Sequence, residues 1–507
     1  MATVSTAQLL TATAHQLQQK LAAGEITSVQ IVEACLAQTN QHNKNGLGLN
    51  AVISSCPHEL ASSQAKKLDV ERDRGQIRSP LHGLPIVLKD VIVTGLELGM
   101  PTTAGAHVFA SLKAKRNASL VDRLVDGGLI VIGKANLTEF CGLKSKDTPV
   151  GWSACGGQTL SPYRQNSLDE SEQPMAGGSS SGSGVSVSAG FSPLAIGTET
   201  AGSVVWPASL NGLYGIKLAP GTVPVDGVFR LSDSYDGIGA FSRDPWTLAA
   251  LVHLLAPPQP GAALLPPSTL DGPTSWEGLT IGVTEPQWGV GTETIKGKWD
   301  LDEVVKTYVD AVGKLNQRGL KVVYPLEAPD AGILEYEGEN FLSVAYHEFP
   351  QKVAEFISAF EHQTDISNLE GIIKWNEDHA ELALPAPYTT QTELIASVNN
   401  KMSDEKHSKA AAELFRLAGE DGMGKIFDDY GLDIVISASD AVLVEFAACA
   451  RWPICTVPLG NLPKNNQPFG WFAMAREGRE DVLLRFMDGF YQVFPGAQRA
   501  TAPFSQV

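Results

Sequence analysis

Short β-branched runs that alternate with helical stretches constrain the fold of this chain more than any other feature. Residues 85–88 and 129–132 are such runs, and a helical pattern over 118–127 separates them. Runs of this kind predict strands, and a helix between two of them predicts a crossover connection within one sheet. We therefore expect an α/β fold built on a mixed, twisted central sheet with helices on both faces.

The chain is expected to begin with helices. Apolar residues recur at helical spacing over residues 7–22 and again over 27–42. Thr27 or Ser28 precedes the second stretch and is suited to be its N-cap. These patterns predict a helical lead-in of two helices before the first strand.

The second half returns to alternating strands and helices after an interruption. A helix is predicted over 302–318, and the stretch 340–425 is mostly helical without strand signals, which predicts a helical insertion. Short apolar runs predict further strands at 279–283, 321–324, 433–436 and 454–457.

A single domain over residues 1–507 accounts for these patterns. We expect five regions within it: a helical lead-in (1–78), a catalytic core (79–255), a Pro-rich connector (256–275), a partly helical cover (276–430) and a return to the core (431–507).

The charge of the chain argues against two classes of partner. It has 38 basic and 56 acidic residues among 507, a formal net charge of −18. Nucleic acids and anionic membrane surfaces attract clustered Lys and Arg, so neither is an expected partner. We also expect no membrane span, because no apolar run is long enough.

The six cysteines are scattered, with no CxxC pair and no zinc-ligand spacing. This pattern predicts neither a disulfide framework nor a metal site, and the chain is expected to be cytoplasmic. A monomer or a homodimer is expected.

The Gly/Ser-rich segment over residues 177–203 is where we expect the chemistry. A phosphate-binding loop would need a lysine after its glycines, but Val185 follows Gly184. A flexible linker would not hold Phe191, Leu194 and Ile196 at this density.

A third alternative for this segment is the nucleophile elbow G-x-S-x-G of an α/β-hydrolase, which would make Ser180 the nucleophile. It requires a later acid and then a histidine. The late histidines lie in a helical, charged stretch without loop signals, which disfavours the elbow: His347, His362, His379 and His407.

Six sequence blocks follow one another in a fixed order along the chain. They are GLPIVLKD (83–90), GKANLTEF (133–140), GWSACGGQT (151–159), GGSSSGS (177–183), GTETAGS (197–203) and PICTVPLG (453–460). Taken together, over about residues 10–495, they resemble the amidase signature family of serine hydrolases. The residues of the serine blocks are most similar to the branch of peptide amidases and fungal or plant amidases.

The resemblance implies a Ser-cisSer-Lys catalytic triad. Ser203 would be the nucleophile, Ser179 a bridging serine on a cis peptide bond, and Lys89 the base. Only the family spacing selects Ser179 over the adjacent Ser180 and Ser181, which otherwise suit bonds to backbone groups.

Amide hydrolysis follows from these roles. Serine needs a base to accept its proton, and an ammonium cannot accept one, so Lys89 must be neutral. Burial among apolar residues 86–88 would lower its pKa. Backbone N–H groups of Thr200, Ala201, Gly202 and Ser203 would form the oxyanion hole. An acyl-enzyme would form and be hydrolysed to an acid plus ammonia or an amine, without a metal or other cofactor.

Some nearby residues carry no assigned catalytic role. Glu199 is expected to be structural, and a buried ion pair is at least as good an explanation of Asp236 and Arg243 as a direct role. Aromatic residues that either line an acyl pocket or fill the core are Trp152, Tyr163, Phe229, Tyr235, Phe341, Phe349 and Trp375.

Three functions remain open at this point. The first is hydrolysis of a small linear carboxylic amide. The second is the ammonia-transferring subunit of an amidotransferase, which shares the triad but would need ATP, a charged tRNA and partner subunits. The third is a non-catalytic amidase-like scaffold, although such relatives usually lose the nucleophile.

Overall fold

A large mixed β-sheet organises the protein. The structure, a computed structural model, describes residues 5–256, 275–290, 301–361 and 366–494. The strands are β1 (Val52–Ser55), β2 (Pro85–Lys89), β3 (Ile130–Ala135), β4 (Trp152–Ser153), β5 (Gly157–Gln158), β6 (Leu194–Glu199), β7 (Tyr214–Lys217), β8 (Gly237–Ser242), β9 (Thr280–Thr284), β10 (Lys321–Leu326), β11 (Ile434–Ala438), β12 (Ile454–Asn461) and β13 (Pro468–Met474).

Eleven strands form the central sheet, in the order β1-β3-β2-β6-β8-β7-β12-β13-β11-β9-β10, and β4 and β5 form a separate ribbon. β2 runs parallel to both β3 and β6, and β9 runs parallel to β10 and β11, whereas the other pairs are antiparallel. The predicted mixed α/β sheet is therefore confirmed.

Helices flank the sheet on both faces. The α-helices are α1 (Thr6–Thr11), α2 (Ala14–Ala22), α3 (Ser28–His42), α4 (His58–Asp73), α5 (Ser119–Asp126), α6 (Ser181–Ser188), α7 (Val205–Leu210), α8 (Pro245–Leu255), α9 (Leu301–Gln317), α10 (Phe341–Ser358), α11 (Leu369–Asp378), α12 (Ala380–Ala383), α13 (Thr392–Val398), α14 (Asp404–Ala418), α15 (Lys425–Tyr430), α16 (Leu443–Ala450) and α17 (Glu480–Val493).

The helical lead-in has three helices where the pattern predicts two. The stretch predicted as one helix over 7–22 divides into α1 and α2, because Thr13 adopts an extended backbone and caps α2. Its hydroxyl accepts a hydrogen bond from the Gln16 backbone N–H, and the Gln16 side chain in turn accepts one from the Thr13 N–H. This capping box satisfies two backbone N–H groups at the start of α2 and marks Thr13 as a helix boundary. Of the two residues predicted as the N-cap of α3, the structure has Thr27 in that position.

Residues 151–243 are rich in Gly, Ser and Thr, a composition typical of loops, yet this region contains regular strands and helices. It supplies three central strands, β6, β7 and β8, and the fully buried helix α6. The glycines allow close packing: a Cβ on Gly182 of α6 would lie 2.2 Å from the Ala51 carbonyl oxygen. Small residues here mark tight contacts between elements rather than loops.

The helical insertion predicted over 340–425 is present as α10 to α14. Together with α16 it encloses a second apolar cluster that includes Leu414, Met423 and Phe446. Most of the predicted Pro-rich connector lies outside the described residues. The division into five regions stays a prediction, although the pairing of β7 with β12 across the connector supports a single domain.

Within the described ranges, none of the helices combines the length and apolar character that a bilayer crossing requires.

Candidate active site

Lys89 is the last residue of β2, and its side chain is completely buried. β2 lies between β3 and β6 in the sheet, and all five of its residues are buried. Because β2 and β6 are parallel, their carboxyl ends meet at the same edge of the sheet. Lys89 is thereby placed beside the turn that follows β6.

The Lys89 amine lies within hydrogen-bond distance of hydroxyl and carbonyl groups. Its Nζ is 2.8 Å from Ser179 Oγ, 3.0 Å from Thr198 Oγ1 and 3.2 Å from the Thr198 carbonyl oxygen. Two further buried lysines, Lys134 and Lys144, lie 3.5 and 2.8 Å from carboxylates, whereas Lys89 forms no ion pair among the described residues.

Burial lowers the pKa of Lys89 below its ordinary value, because the ammonium is removed from water. The neighbouring Cys141, together with Asp236 and Glu199, acts in the opposite direction without reversing the shift. The environment thus favours a neutral amine, which has a lone pair that can accept a proton.

Ser179 lies in the loop before α6 and follows a cis peptide bond with Gly178. Gly178 has no room for a side chain, since a Cβ there would lie 2.7 Å from both Thr138 Oγ1 and Val150 Cγ1. The Ser179 carbonyl oxygen accepts a hydrogen bond from the Thr138 N–H at 3.0 Å. These contacts hold the Ser179 hydroxyl against Lys89.

The adjacent serines point elsewhere. The Ser180 hydroxyl donates to the Thr198 carbonyl at 3.1 Å, and the Ser181 hydroxyl donates to Thr159 Oγ1 at 3.2 Å. Among the three consecutive serines of the described loop, Ser179 is therefore the one bonded to Lys89.

The turn that carries Ser203 is held from several directions. The Glu199 carboxylate accepts hydrogen bonds from the N–H groups of Val204 and Val205 at 2.6 and 2.9 Å. The Lys217 amine donates to the Thr200 carbonyl at 2.9 Å. Gly202 has a φ of 81°, which glycine adopts without steric cost.

The turn is also fixed to the Ser179 loop, because the Ser180 N–H donates to the Ser203 carbonyl at 3.1 Å. Within the described part of the chain, no hydrogen bond joins the hydroxyls of Ser179 and Ser203. Catalytic hydrogen bonds are often long before substrate binds. The two serines nevertheless share one cavity.

That cavity has a volume of about 290 Å³ and opens to solvent. Ser179 lines it together with Ala201, Gly202 and Ser203. The backbone N–H groups of these last three residues donate to no other group among the described residues, and they remain available for an oxygen of a bound molecule. Thr200 is not part of the lining, and its hydroxyl donates to Asp236 at 2.6 Å.

Several candidates from the sequence lie elsewhere. Asp236 and Arg243 do not form the buried ion pair that was considered: Asp236 accepts from Thr200 and the Leu231 N–H, while Arg243 donates to backbone carbonyls, among them Ala12. Their positions are fixed by hydrogen bonds to chain segments that sequence patterns do not connect.

The histidines required by the elbow alternative are also remote. His407 contacts Glu348 and stacks on His347, and His379 bonds the Trp375 carbonyl. His362 lies outside the described residues. The alternative of a nucleophile elbow is therefore wrong. The Ser180 hydroxyl donates its hydrogen bond to the Thr198 carbonyl and has no histidine beside it among the described residues.

The cavity wall includes residues that the sequence did not single out. Its aromatic members are Trp206 and Phe472, and none of the seven aromatic candidates lines it. Its remaining reactive or charged side chains are Cys141 and Asp440. Cys141 directly follows the block over 133–140, so the sequence could have indicated that this residue lies near the site. Asp440 has no such signal, because only the folded chain brings it here.

Comparison with known proteins identifies the family. The family model described as Amidase matches residues 30–484. The chain belongs to the amidase family. It is accordingly a hydrolase that acts on carbon–nitrogen bonds of amides, and the non-catalytic alternative is set aside.

Relatives of this amidase agree with the predicted branch. A protein of Arabidopsis thaliana described as a probable amidase is 30% identical over 464 residues, which are 90% of this chain and 85% of the relative. The structure of the peptide amidase from Stenotrophomonas maltophilia superposes with a TM-score of 0.83 at 30% identity, and covers 95% of this chain and 96% of that one.

Amidotransferase components match a smaller part of the amidase. A glutamyl-tRNA(Gln) amidotransferase subunit of Chloroflexus aggregans is 39% identical over 238 residues, which are 46% of this chain and 44% of that relative. This partial similarity is secondary to the full-length similarity with amidases.

Proposed function

We propose that this amidase hydrolyses a small linear carboxylic amide through an acyl-enzyme on Ser203. The observation that carries the proposal is the 2.8 Å separation of Lys89 Nζ and Ser179 Oγ, beside a cavity that Ser179 shares with Ser203. We expect Ser179 to relay a proton between the buried amine of Lys89 and the Ser203 hydroxyl once a substrate is bound.

The proposed reaction begins with proton transfer from Ser203 through Ser179 to the neutral Lys89. Ser179 is suited to this relay because a hydroxyl both donates and accepts a proton. Ser203 attacks the amide carbonyl, and the tetrahedral oxyanion accepts hydrogen bonds from backbone N–H groups. The free N–H groups of Ala201, Gly202 and Ser203 support this role, and Thr200 remains a predicted fourth donor.

The same relay runs in reverse when the intermediate collapses. The Lys89 ammonium returns the proton through Ser179 to the departing nitrogen, which leaves as ammonia or an amine. Water then attacks the acyl-enzyme with the same groups as base, and the acid is released. Every step uses groups of the chain and water alone.

A panel of substrates tests this proposal. Neutral primary amides, alkyl amides, aryl amides, C-terminally amidated peptides and esters should be incubated with the enzyme and the product acid quantified. We expect turnover of at least one linear amide class, together with covalent labelling of Ser203 by a fluorophosphonate. Glutamine hydrolysis that requires added partner proteins would instead support the amidotransferase alternative.

We expect kcat/KM for a neutral amide to rise with pH. The lowered pKa of Lys89 means that the neutral, active amine forms below the pH at which a free lysine would lose its proton. The rate should increase through that folded-state pKa and then level off. The measurement is a pH profile with chemistry rate-limiting.

A structural control accompanies the profile. Circular dichroism across the same pH range separates loss of activity from unfolding. A profile that is flat over the whole pH range in which the protein stays folded, or a rate that falls as the pH rises through neutrality, would contradict the assignment of a lysine base.

Location and assembly remain proposals. All six cysteines are free thiols, which supports the expected cytoplasmic location, because disulfides are rare there. The state of the enzyme, monomer or homodimer, stays a prediction that sedimentation velocity can test.

A further inference from the structure

A carboxylate that has no cationic partner among the described residues lines the active-site cavity. Asp440 lies in the turn between β11 and α16, and its side chain is part of the cavity wall together with Ser203. Its Oδ2 atom is buried and has no hydrogen-bond partner among the described residues. A buried acceptor without a partner costs free energy, so its retention calls for an explanation.

Neither helix capping nor ion pairing accounts for this aspartate. Asp440 does not cap α16, because the N-cap of that helix is Val442 and no side chain bonds its first turn. None of the described Lys or Arg side chains forms an ion pair with Asp440, although many surface carboxylates of this chain are paired. No basic side chain lines the cavity.

The Trp206 indole lies beside Asp440. Its N–H is buried and acts as a hydrogen-bond donor toward the Asp440 carboxylate, which lowers the pKa of that carboxylate, although the contact falls outside ordinary hydrogen-bond geometry. An indole N–H does not neutralise a carboxylate. The cavity wall therefore presents a carboxylate that has no cationic partner among the described residues, with an aromatic ring beside it.

The surroundings of the two groups are apolar. Val150, Ala441, Val444 and Phe472 form much of the remaining wall. Burial raises the pKa of Asp440 to about 7, the Trp206 contact opposing only part of that effect. A cation in the cavity would stabilise the ionised form, and the indole face would add a cation–π contact.

We propose that Asp440 and Trp206 bind an ammonium group of the substrate, so that the amides this enzyme prefers carry a protonated amine. This inference rests on the proposed hydrolysis at Ser203 and names its substrate class. The net charge of −18 further favours the approach of cationic amides.

Matched substrate pairs test the proposal. A short series of ω-aminoalkanamides is compared with the alkanamides in which a methyl group replaces the ammonium. The assay runs at about pH 8, where Asp440 is mostly ionised and the amines are mostly protonated. For at least one chain length, kcat/KM should favour the ammonium substrate by about 10-fold to 100-fold, as a charge-assisted hydrogen bond supplies.

The variant Asp440→Asn should reduce this ratio to near one, because the amide side chain keeps the shape of the carboxylate without its charge. The ratio of the two kcat/KM values, for the ammonium substrate and for its methyl analogue, stays informative even if both values fall together in the variant. Glu445→Gln is the matched control: Glu445 is an acidic residue on α16 that does not line the cavity, and its replacement should leave the ratio unchanged.

A binding measurement keeps this inference separate from the proposed reaction. Calorimetric titration of the Ser203→Ala protein with 5-aminopentanamide and with hexanamide requires no turnover. We expect tighter binding of the ammonium compound, and loss of that difference in Ser203→Ala/Asp440→Asn. Absence of all amide turnover with this binding difference intact would refute only the proposed reaction. Equal binding of the two compounds, or a preference that survives Asp440→Asn, would overturn the role of Asp440.

Discussion

Replacing Ser203 with alanine is expected to lower kcat by at least about 10⁴-fold, because removal of a nucleophile leaves only substrate binding and oxyanion stabilisation. The Ser203 hydroxyl faces the cavity and bonds no other group among the described residues. Its loss should therefore change the free energy of unfolding by only about 0.5 kcal/mol. Product acid from a neutral amide and the melting temperature are the two measurements.

Ser181→Ala is the matched control for this experiment. Ser181 lies in the same serine segment, but its hydroxyl donates to Thr159 away from the cavity. We expect turnover within about tenfold of the parent and a stability loss of about 1 kcal/mol. Retention of near-normal turnover in Ser203→Ala would exclude Ser203 as the nucleophile.

Replacing Lys89 with methionine is expected to lower kcat/KM by at least about 10³-fold and to abolish its rise with pH. Methionine has a similar length and fills the buried site, but it has no lone pair basic enough to accept the serine proton. The contact with Ser179 at 2.8 Å is lost with the amine. Rates measured across the pH range, together with the melting temperature, test this expectation.

The stability of the Lys89→Met protein carries its own pH signature. The folded-state pKa of Lys89 lies below that of the unfolded chain. Between those two values the unfolded state binds more protons, so the stability of the parent rises with pH in that window. The variant should lack this contribution. A variant that keeps the parent's pH–rate profile would show that another group is the base.

The elements predicted best from sequence are those whose signal is local. β2, β3, α3 and α9 lie within a few residues of their predicted positions. The strands β6, β7 and β8 were missed, because their Gly and Ser residues resemble loop composition and reveal their role only when neighbouring elements pack against them. The continuous helix predicted over 7–22 was wrong for a local reason, the capping box at Thr13.

The residues of the candidate site also fall into two groups, those with a local sequence signal and those without one. Contiguous motifs identified Lys89, Ser179 and Ser203, because each motif can be recognised from its own residues and their spacing. Asp440 was not identified from the sequence, because its segment is not distinctive by composition, and Trp206 was not, although it follows the Ser203 block by three residues. Nothing in the sequence links the turn after β11 with the turn after β6.

The amino-acid sequence by itself determined the family, the reaction class and the three residues proposed to perform the chemistry. Short, contiguous stretches of sequence are sufficient to indicate these properties. The tertiary structure alone decided that Lys89 is buried without a carboxylate partner among the described residues, and that an aspartate without a cationic partner there shares the cavity of the serines with an indole. Burial and pairing depend on contacts between segments far apart in the chain. Such contacts form only when the sheet and its covering helices assemble.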